Sequence, residues 1–280
     1  MTDLPPEDVL ACALERAVDE GTLRLCYQPK LSFASRRVTG VEALMRWSLP
    51  EVGPISPSHF IPLAERRGLI DALSEWGLLQ ALRQWRRWAA DGIELELAFN
   101  ISPTTLRHMD VPDAVERWCR AVGVPTRWLT LELTEGATQD AVRMMDTLSR
   151  FRIKGVRVAL DDFGTGYSSL LQLRQLPFSE LKIDRWFVED STRSSDAALV
   201  IRSIIDLAHG LGLSVTAEGV ATAEQFTLLR RFGCDQAQGQ FVGPPLAGEA
   251  LPGWLMRHRG AFQDAVPEGA PLPPSAQALT

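Results

Sequence analysis

The 280-residue chain is 45% apolar and 23% charged, the make-up of a globular protein with an ample core, and its length suits one large α/β domain or two small ones. A net charge of −6, from 29 Lys and Arg against 35 Asp and Glu, argues against long nucleic acids, whose phosphates need a basic surface, but not against a small phosphorylated ligand held through metal ions. Cys12, Cys26, Cys119 and Cys234 form no Cys-x-x-Cys, the N-terminus is acidic (Asp3, Glu7, Asp8) and no stretch is long and apolar enough to cross a bilayer, so neither zinc, a disulfide framework, a leader nor a membrane span is expected and a reduced cytoplasmic setting fits best.

From Pro6, the residues Val9, Leu10, Ala13, Leu14, Ala17 and Val18 recur at helical spacing and Gly21 closes the run, so an amphipathic helix opens the chain. Strands are expected at 23–28, ending in Tyr27-Gln28-Pro29, and at 37–46, whose end carries Glu42 to Arg46. Helices follow at about 57–67 and 71–90. Next come a strand at 94–101 ending on Asn100, a helix at about 111–122, a strand at 128–133 carrying Glu132, a helix at about 139–151 and a strand at 156–160 running into Asp161. A short strand at 180–184 surrounds Lys182. A long helix at about 196–211 places Ile201, Ile204, Ile205 and Ala208 on one stripe, and a strand at 214–217 ends at Glu218. A helix at about 222–232 and a strand at about 236–241 complete the series.

Alternating strands and helices with such connections call for parallel neighbours, and seven or eight units over ~250 residues have the size of a (β/α)₈ barrel, in which function sits at the C-terminal ends of the strands. A doubly wound open sheet is the runner-up. Residues 262–280 are rich in Pro and Ala and read as a flexible tail, leaving no room for a sensory or transmembrane domain in the chain.

The apolar runs terminate in Glu42, Asn100, Glu132, Asp161 with Asp162, Lys182 and Glu218. Each alone has an ordinary reading as a surface acid, a helix cap, a salt-bridge lysine or a turn residue. Their shared position is what a barrel would gather at one mouth. Clustered carboxylates raise one another's pKa and need cations, and oxygen ligands without His or Cys select Mg²⁺ or Mn²⁺. Asp161 and Asp162 precede Phe163-Gly164-Thr165-Gly166-Tyr167; they form either a solvated turn or, pointing to opposite faces of a strand end, a pair that serves two ions. His59, His108, His209 and His258 lie in or beside helical segments and receive no catalytic role.

Several long motifs occur in order: Tyr27-Gln28-Pro29, Glu42-Ala43-Leu44-Met45-Arg46-Trp47, Ile55-Ser56-Pro57, Phe60 to Glu65, Asn100-Ile101-Ser102, Glu132-Leu133-Thr134-Glu135, Asp161 to Leu170, Leu181-Lys182-Ile183-Asp184 and Ala217-Glu218-Gly219-Val220. Over residues 23–246 the chain thereby resembles the EAL-domain phosphodiesterases, which hydrolyse the bacterial second messenger cyclic di-GMP. The resemblance implies a TIM-like (β/α)₈ barrel with an antiparallel first strand at 22–261, behind the N-terminal helix at 1–21 and before the tail at 262–280. It implies one ion on Glu42, Asn100, Glu132 and Asp161, and a second on Asp161, Asp162 and Glu218. Lys182 would orient the attacking water and the phosphate, with Glu218 and Glu42 counted beside it as catalytic, and Glu135 would steady the glycine-rich loop. Gln28, Leu44, Arg46 and Gln238 would contact the dinucleotide. The implied reaction is two-metal hydrolysis to linear 5′-pGpG, by a homodimer assembled through the segment after Asp162.

A non-catalytic cyclic di-GMP receptor is the alternative, although such receptors typically lose metal ligands or the glycine-rich loop, and both are present here. An aldolase-like Schiff base on Lys182 leaves the carboxylates unexplained. Three positions depart from the family pattern: Ala221 in place of Glu, Gln240 in place of Tyr, and Pro244 where an Arg is usual. They bear on turnover and guanine contacts rather than on the ligands.

Overall fold

Each strand alternates apolar with polar or small residues, and the fold turns that alternation into two layers. The computed structural model describes residues 4–108, 110–135, 141–164 and 170–262. In chain order these form α1 (Glu7–Arg16), β1 (Leu23–Ser32), β2 (Arg37–Leu49), β3 (Gly53–Ile55), α2 (Pro57–Arg66), α3 (Ile70–Ala90), β4 (Glu96–Asn100), α4 (Val111–Val122), β5 (Leu129–Thr134), α5 (Ala141–Ile153), β6 (Arg157–Phe163), α6 (Leu170–Gln175), β7 (Glu180–Ile183), α7 (Arg185–Glu189), α8 (Ser195–Gly210), β8 (Ser214–Ala217), α9 (Ala223–Arg231), β9 (Gln236–Gln238) and α10 (Leu251–Arg257). The start of the helix expected at 139–151, residues 165–169 of the glycine-rich loop and residues 263–280 of the tail lie outside the described residues.

The sheet runs β1-β9-β8-β7-β6-β5-β4-β2 and closes through β1 and β2 into an eight-stranded barrel, with β3 added only to the outer end of β2. Strands β2 and β4 to β9 are mutually parallel, whereas β1 is antiparallel to both β2 and β9. This is the (β/α)₈ barrel with an antiparallel first strand. Among the eight barrel strands the general expectation of parallel neighbours fails at β1, because the link at 33–36 is too short for a crossover and makes a hairpin, with Arg36 left-handed at φ 54°; β3, outside the barrel, is likewise antiparallel to β2. The last strand stops at Gln238, short of the expected 241.

The main core lies between barrel and helices. Leu97, Phe99, Leu131, Leu133, Val158, Leu160, Leu181 and Val215 point outward and are buried with Leu78, Leu82 and Trp85 of α3 and Ile201 and Ile205 of α8. Two of the buried indoles have partners at their tips: Trp85 Nε1 donates to the Leu95 carbonyl and Trp88 Nε1 to that of Gly248. A second core joins Leu10 and Leu14 of α1 to Trp47, Phe60, Leu63 and Ile70. The amphipathic pattern of α1 thus covers α2 and the outer end of β2. Thr222 and Gln225 form the capping box that starts α9 behind Glu218.

Candidate active site

The parity that sends Leu131 and Leu181 outward sends Gln28, Glu42, Asn100, Glu132, Asp161, Lys182 and Gln238 inward at one rim, and the end of β8 sets Glu218 beside them. Lys182 is fully buried at their centre. Its ammonium lies 2.6 Å from Glu218 Oε1, 2.8 Å from Glu132 Oε2, 3.1 Å from Asp161 Oδ2 and 3.7 Å from Glu42 Oε2. Asn100 Nδ2 donates to Glu42 Oε1 at 2.6 Å, and Gln238 Nε2 donates to Glu42 Oε2 at 2.6 Å and to Gln28 Oε1 at 3.2 Å. Glu42 is therefore held on both oxygens.

Among the described residues, Asp161, Asp162 and Glu218 offer carboxylate oxygens that all lie within 4.8 Å of one another. The two aspartates do not part to opposite faces as the regular alternation predicts. The β6–β7 register breaks between Leu160 and Phe163, and Asp162 is left-handed with φ 55°, a conformation Asp tolerates better than most residues. The twist brings both carboxylates to the same rim. Glu135 is buried and accepts a 3.2 Å hydrogen bond from the Gly164 amide, just past Asp162. Gly164 has φ 96°, and a Cβ there would lie 2.6 Å from the Phe187 ring of α7. Gly219, after Glu218, is likewise left-handed against Arg185, so α7 braces both carboxylate-bearing turns.

The electrostatics follow from crowding. Burial, reinforced by Glu132, pushes the Glu42 carboxyl up to about 7. Burial also raises Asp161, Asp162 and Glu218, with Asp184 adding to Asp162 and Asp161 adding to Glu218. Glu132 goes the other way: burial opposes its anion, but Lys182 and Lys30 outweigh burial and hold it at about 2. Burial also opposes the Lys182 cation, yet Asp161, Glu132, Glu218 and Glu42 push its pKa well above the ordinary lysine value. Lys182 is shared by four carboxylates and Lys30 reaches only Glu132 among them, so Glu42, Asp161 and Glu218, with Asp162 beside them, crowd negative charge that a hard cation would relieve. The donors suit Mg²⁺ or Mn²⁺: carboxylates and one amide, whose nitrogen is committed to Glu42 and whose oxygen remains for an ion.

Leu44 and Arg46 are half-buried outside this cluster. With Ile61, Phe99, Asn100 and Glu132 they line an adjoining cavity of about 250 Å³. The departures Ala221, Gln240 and Pro244 are all exposed and fill no core position. One site residue escaped sequence reasoning: Lys30, buried in the barrel, donates to Glu132 Oε1 at 2.6 Å. Its signal was its position two residues after Gln28, on the same face of a strand.

The EAL domain family profile matches residues 11–245. A cyclic di-GMP phosphodiesterase of Pseudomonas aeruginosa is 39% identical over 251 residues, covering 89% of this chain and 43% of that protein. The bifunctional diguanylate cyclase/cyclic di-GMP phosphodiesterase MucR of the same organism is 41% identical over 240 residues, 85% of this chain and 35% of that one. The chain thus spans less than half the length of these curated relatives. Among solved structures, the PaMucR phosphodiesterase in complex with c-di-GMP is similar with a TM-score of 0.83 at 40% identity, over 87% of this chain and 99% of that one. With the profile matched across most of its length and the barrel shared with a relative of that identity, the chain belongs to the EAL domain family.

Proposed function

We propose that the protein is a divalent-metal-dependent phosphodiesterase that opens cyclic di-GMP to linear 5′-pGpG. The observation that carries this reading is the convergence of Glu42, Glu132, Asp161 and Glu218 on the buried Lys182, with Asn100 and Asp162 beside them, at the mouth where such barrels do chemistry. The names of the two Pseudomonas aeruginosa relatives support the substrate.

Glu42, Asn100, Glu132 and Asp161 would hold one Mg²⁺ or Mn²⁺, and Asp161, Asp162 and Glu218 a second. When bound, such ions acidify a water for attack on phosphorus and neutralise the charge that gathers on the phosphoryl and leaving oxygens. Lys182 keeps its proton at Nζ and offers it as a hydrogen-bond donor to the phosphate or the incoming water. That charged state also weighs against a Schiff-base role, which needs a free amine. Glu218, whose carboxyl is raised well above its ordinary range, can take or return a proton at the rim. Arg46 and Leu44, along the cavity beside Asn100, would receive a phosphate and a base, while Gln28 and Gln238 would meet the dinucleotide across the mouth. Glu135 would steady the turn carrying Asp162.

A homodimer built around the segment after Asp162 suits the apolar surface of the flanking helices, where Leu171 is 57% and Trp186 68% exposed. A cytoplasmic setting suits four unpaired cysteines. The test is incubation of the protein with cyclic di-GMP and Mn²⁺ or Mg²⁺, with pGpG followed by chromatography and Glu42→Ala as control. Formation of pGpG by the parent alone is the expected result. Tight binding without turnover in either metal overturns it in favour of a receptor.

A further inference from the structure

Below the rim the barrel contains a second buried lysine. Because β1 runs antiparallel to its neighbours, the inward residue after Gln28 lies deeper in the barrel, and Lys30 reaches its interior with 3% exposure. Its partner across the hairpin is Gly40, which adds no side chain to that space. Lys30 Nζ donates to Glu132 Oε1 at 2.6 Å and lies 3.6 Å from Glu180 Oε1. Glu180 Oε1 in turn accepts from Thr216 Oγ1 at 2.6 Å. Glu132 is thus gripped twice, at Oε1 by Lys30 from below and at Oε2 by Lys182, 2.8 Å away.

The two grips differ. Lys182 is shared among Glu42, Glu132, Asp161 and Glu218, whereas the ion pairs of Lys30 are with Glu132 and Glu180. A buried ion pair is weak evidence of added stability, since well-packed apolar residues serve as well or better; its best-attested use is to specify one arrangement. We propose that Lys30 is a positioning residue for the ion site: it pins Glu132 Oε1 inside the barrel, so that Oε2, the oxygen beside Lys182, is the one turned toward a cation. The network beneath, Glu180 with Thr216, holds Lys30 against Glu132. This rests on the reading of Glu132 as an ion ligand. The same logic of a partner that fixes a ligating group's orientation operates behind metal ligands generally, where its loss costs about 10–100-fold in affinity.

The experiment counts free Mn²⁺ by solution electron paramagnetic resonance during titration of Asp162→Asn protein, with and without Lys30→Met; Asp162→Asn removes a ligand of the other ion, so the isotherm reports the Glu132 site. Loss of Lys30 should weaken Mn²⁺ binding about ten-fold or more. The double change Lys30→Met with Glu180→Met replaces the pair by apolar side chains, keeps the fold should the single variant leave Glu180 too exposed in charge, and should show the same loss. Affinity within two-fold of the parent overturns the proposal, since a lysine that merely held the barrel together would lower the melting temperature alone. Tighter binding also overturns it, because that is what removing a positive charge does when position is unaffected. Glu132→Gln binding Mn²⁺ as tightly as its parent overturns instead the ligand reading, and the pin with it.

Discussion

Lys182 Nζ lies 2.6 Å from Glu218 Oε1, a contact that ties the end of β7 to the residue following β8 and puts a positive charge where the carboxylates crowd. Lys182→Met leaves Glu42, Asp161 and the partly buried Glu218 without their shared ammonium, and Glu132 with Lys30 alone, a class of change that costs about 3–5 kcal/mol. The variant should melt well below the parent in chelator and recover most of the difference with Mn²⁺, while turnover of cyclic di-GMP falls about 100-fold or more. Thermal melts with and without ion, beside a product assay, check both halves. An unchanged melt in chelator would contradict the counter-charge role.

On the proposed ligand sets, Asp161 serves both ions and Asp162 the second alone. Asp161 is buried, 3.1 Å from Lys182, and adjoins both ligand sets, whereas Asp162 is half-buried on a left-handed residue beside Glu218. Asp161→Asn should weaken both ions, and Asp162→Asn chiefly the second. Mn²⁺ stoichiometry by equilibrium dialysis distinguishes them; equal loss of both ions in the Asp162 variant would sink the division.

The turn after Asp162 depends on Gly164 and Glu135. Gly164→Ala places a Cβ against Phe187 at a φ of 96°, a strain worth about 1–3 kcal/mol. Glu135→Ala removes the acceptor of the Gly164 amide and keeps the glycine. Both should weaken the second ion more than the first, with Gly164→Ala the more damaging to the melting temperature. Mn²⁺ titrations that match the parent in both variants would refute the link.

Proton linkage makes the ion-free protein respond to pH in the opposite sense from a salt-bridged one. Glu42 has its folded pKa raised from 4.5 to about 7, so between those values the folded state holds a proton that the unfolded chain has released. Stability therefore falls as pH rises through that window, by on the order of 3 kcal/mol for this group alone. Glu132, held at about 2, contributes the reverse below pH 4.5. Melts in chelator should decline from pH 5 to pH 7.5, and the stabilisation by Mn²⁺ should grow over the same span as the carboxylates lose protons. A melting temperature in chelator that rises across it would contradict the raised acids.

Much of this protein is legible along the chain, because strand parity is a local property. Period-two alternation at Leu97, Phe99, Leu131 and Leu133 names the outward face, and the residues that end those runs, Glu42, Asn100, Glu132 and Asp161, are the ones brought to the rim. Parity does not carry depth or direction. Lys30 acts on Glu132 across 102 positions only because β1 runs against its neighbours and carries that side chain down into the barrel. Asp162 joins Asp161 and Glu218 because the ladder to β7 breaks and its backbone turns left-handed, where regular alternation would have sent it away. Local alternation is enough to say which strand residues face inward, Asp162 excepted, whereas strand direction and register come from barrel closure through pairings remote in sequence, and these bring the inward residues together.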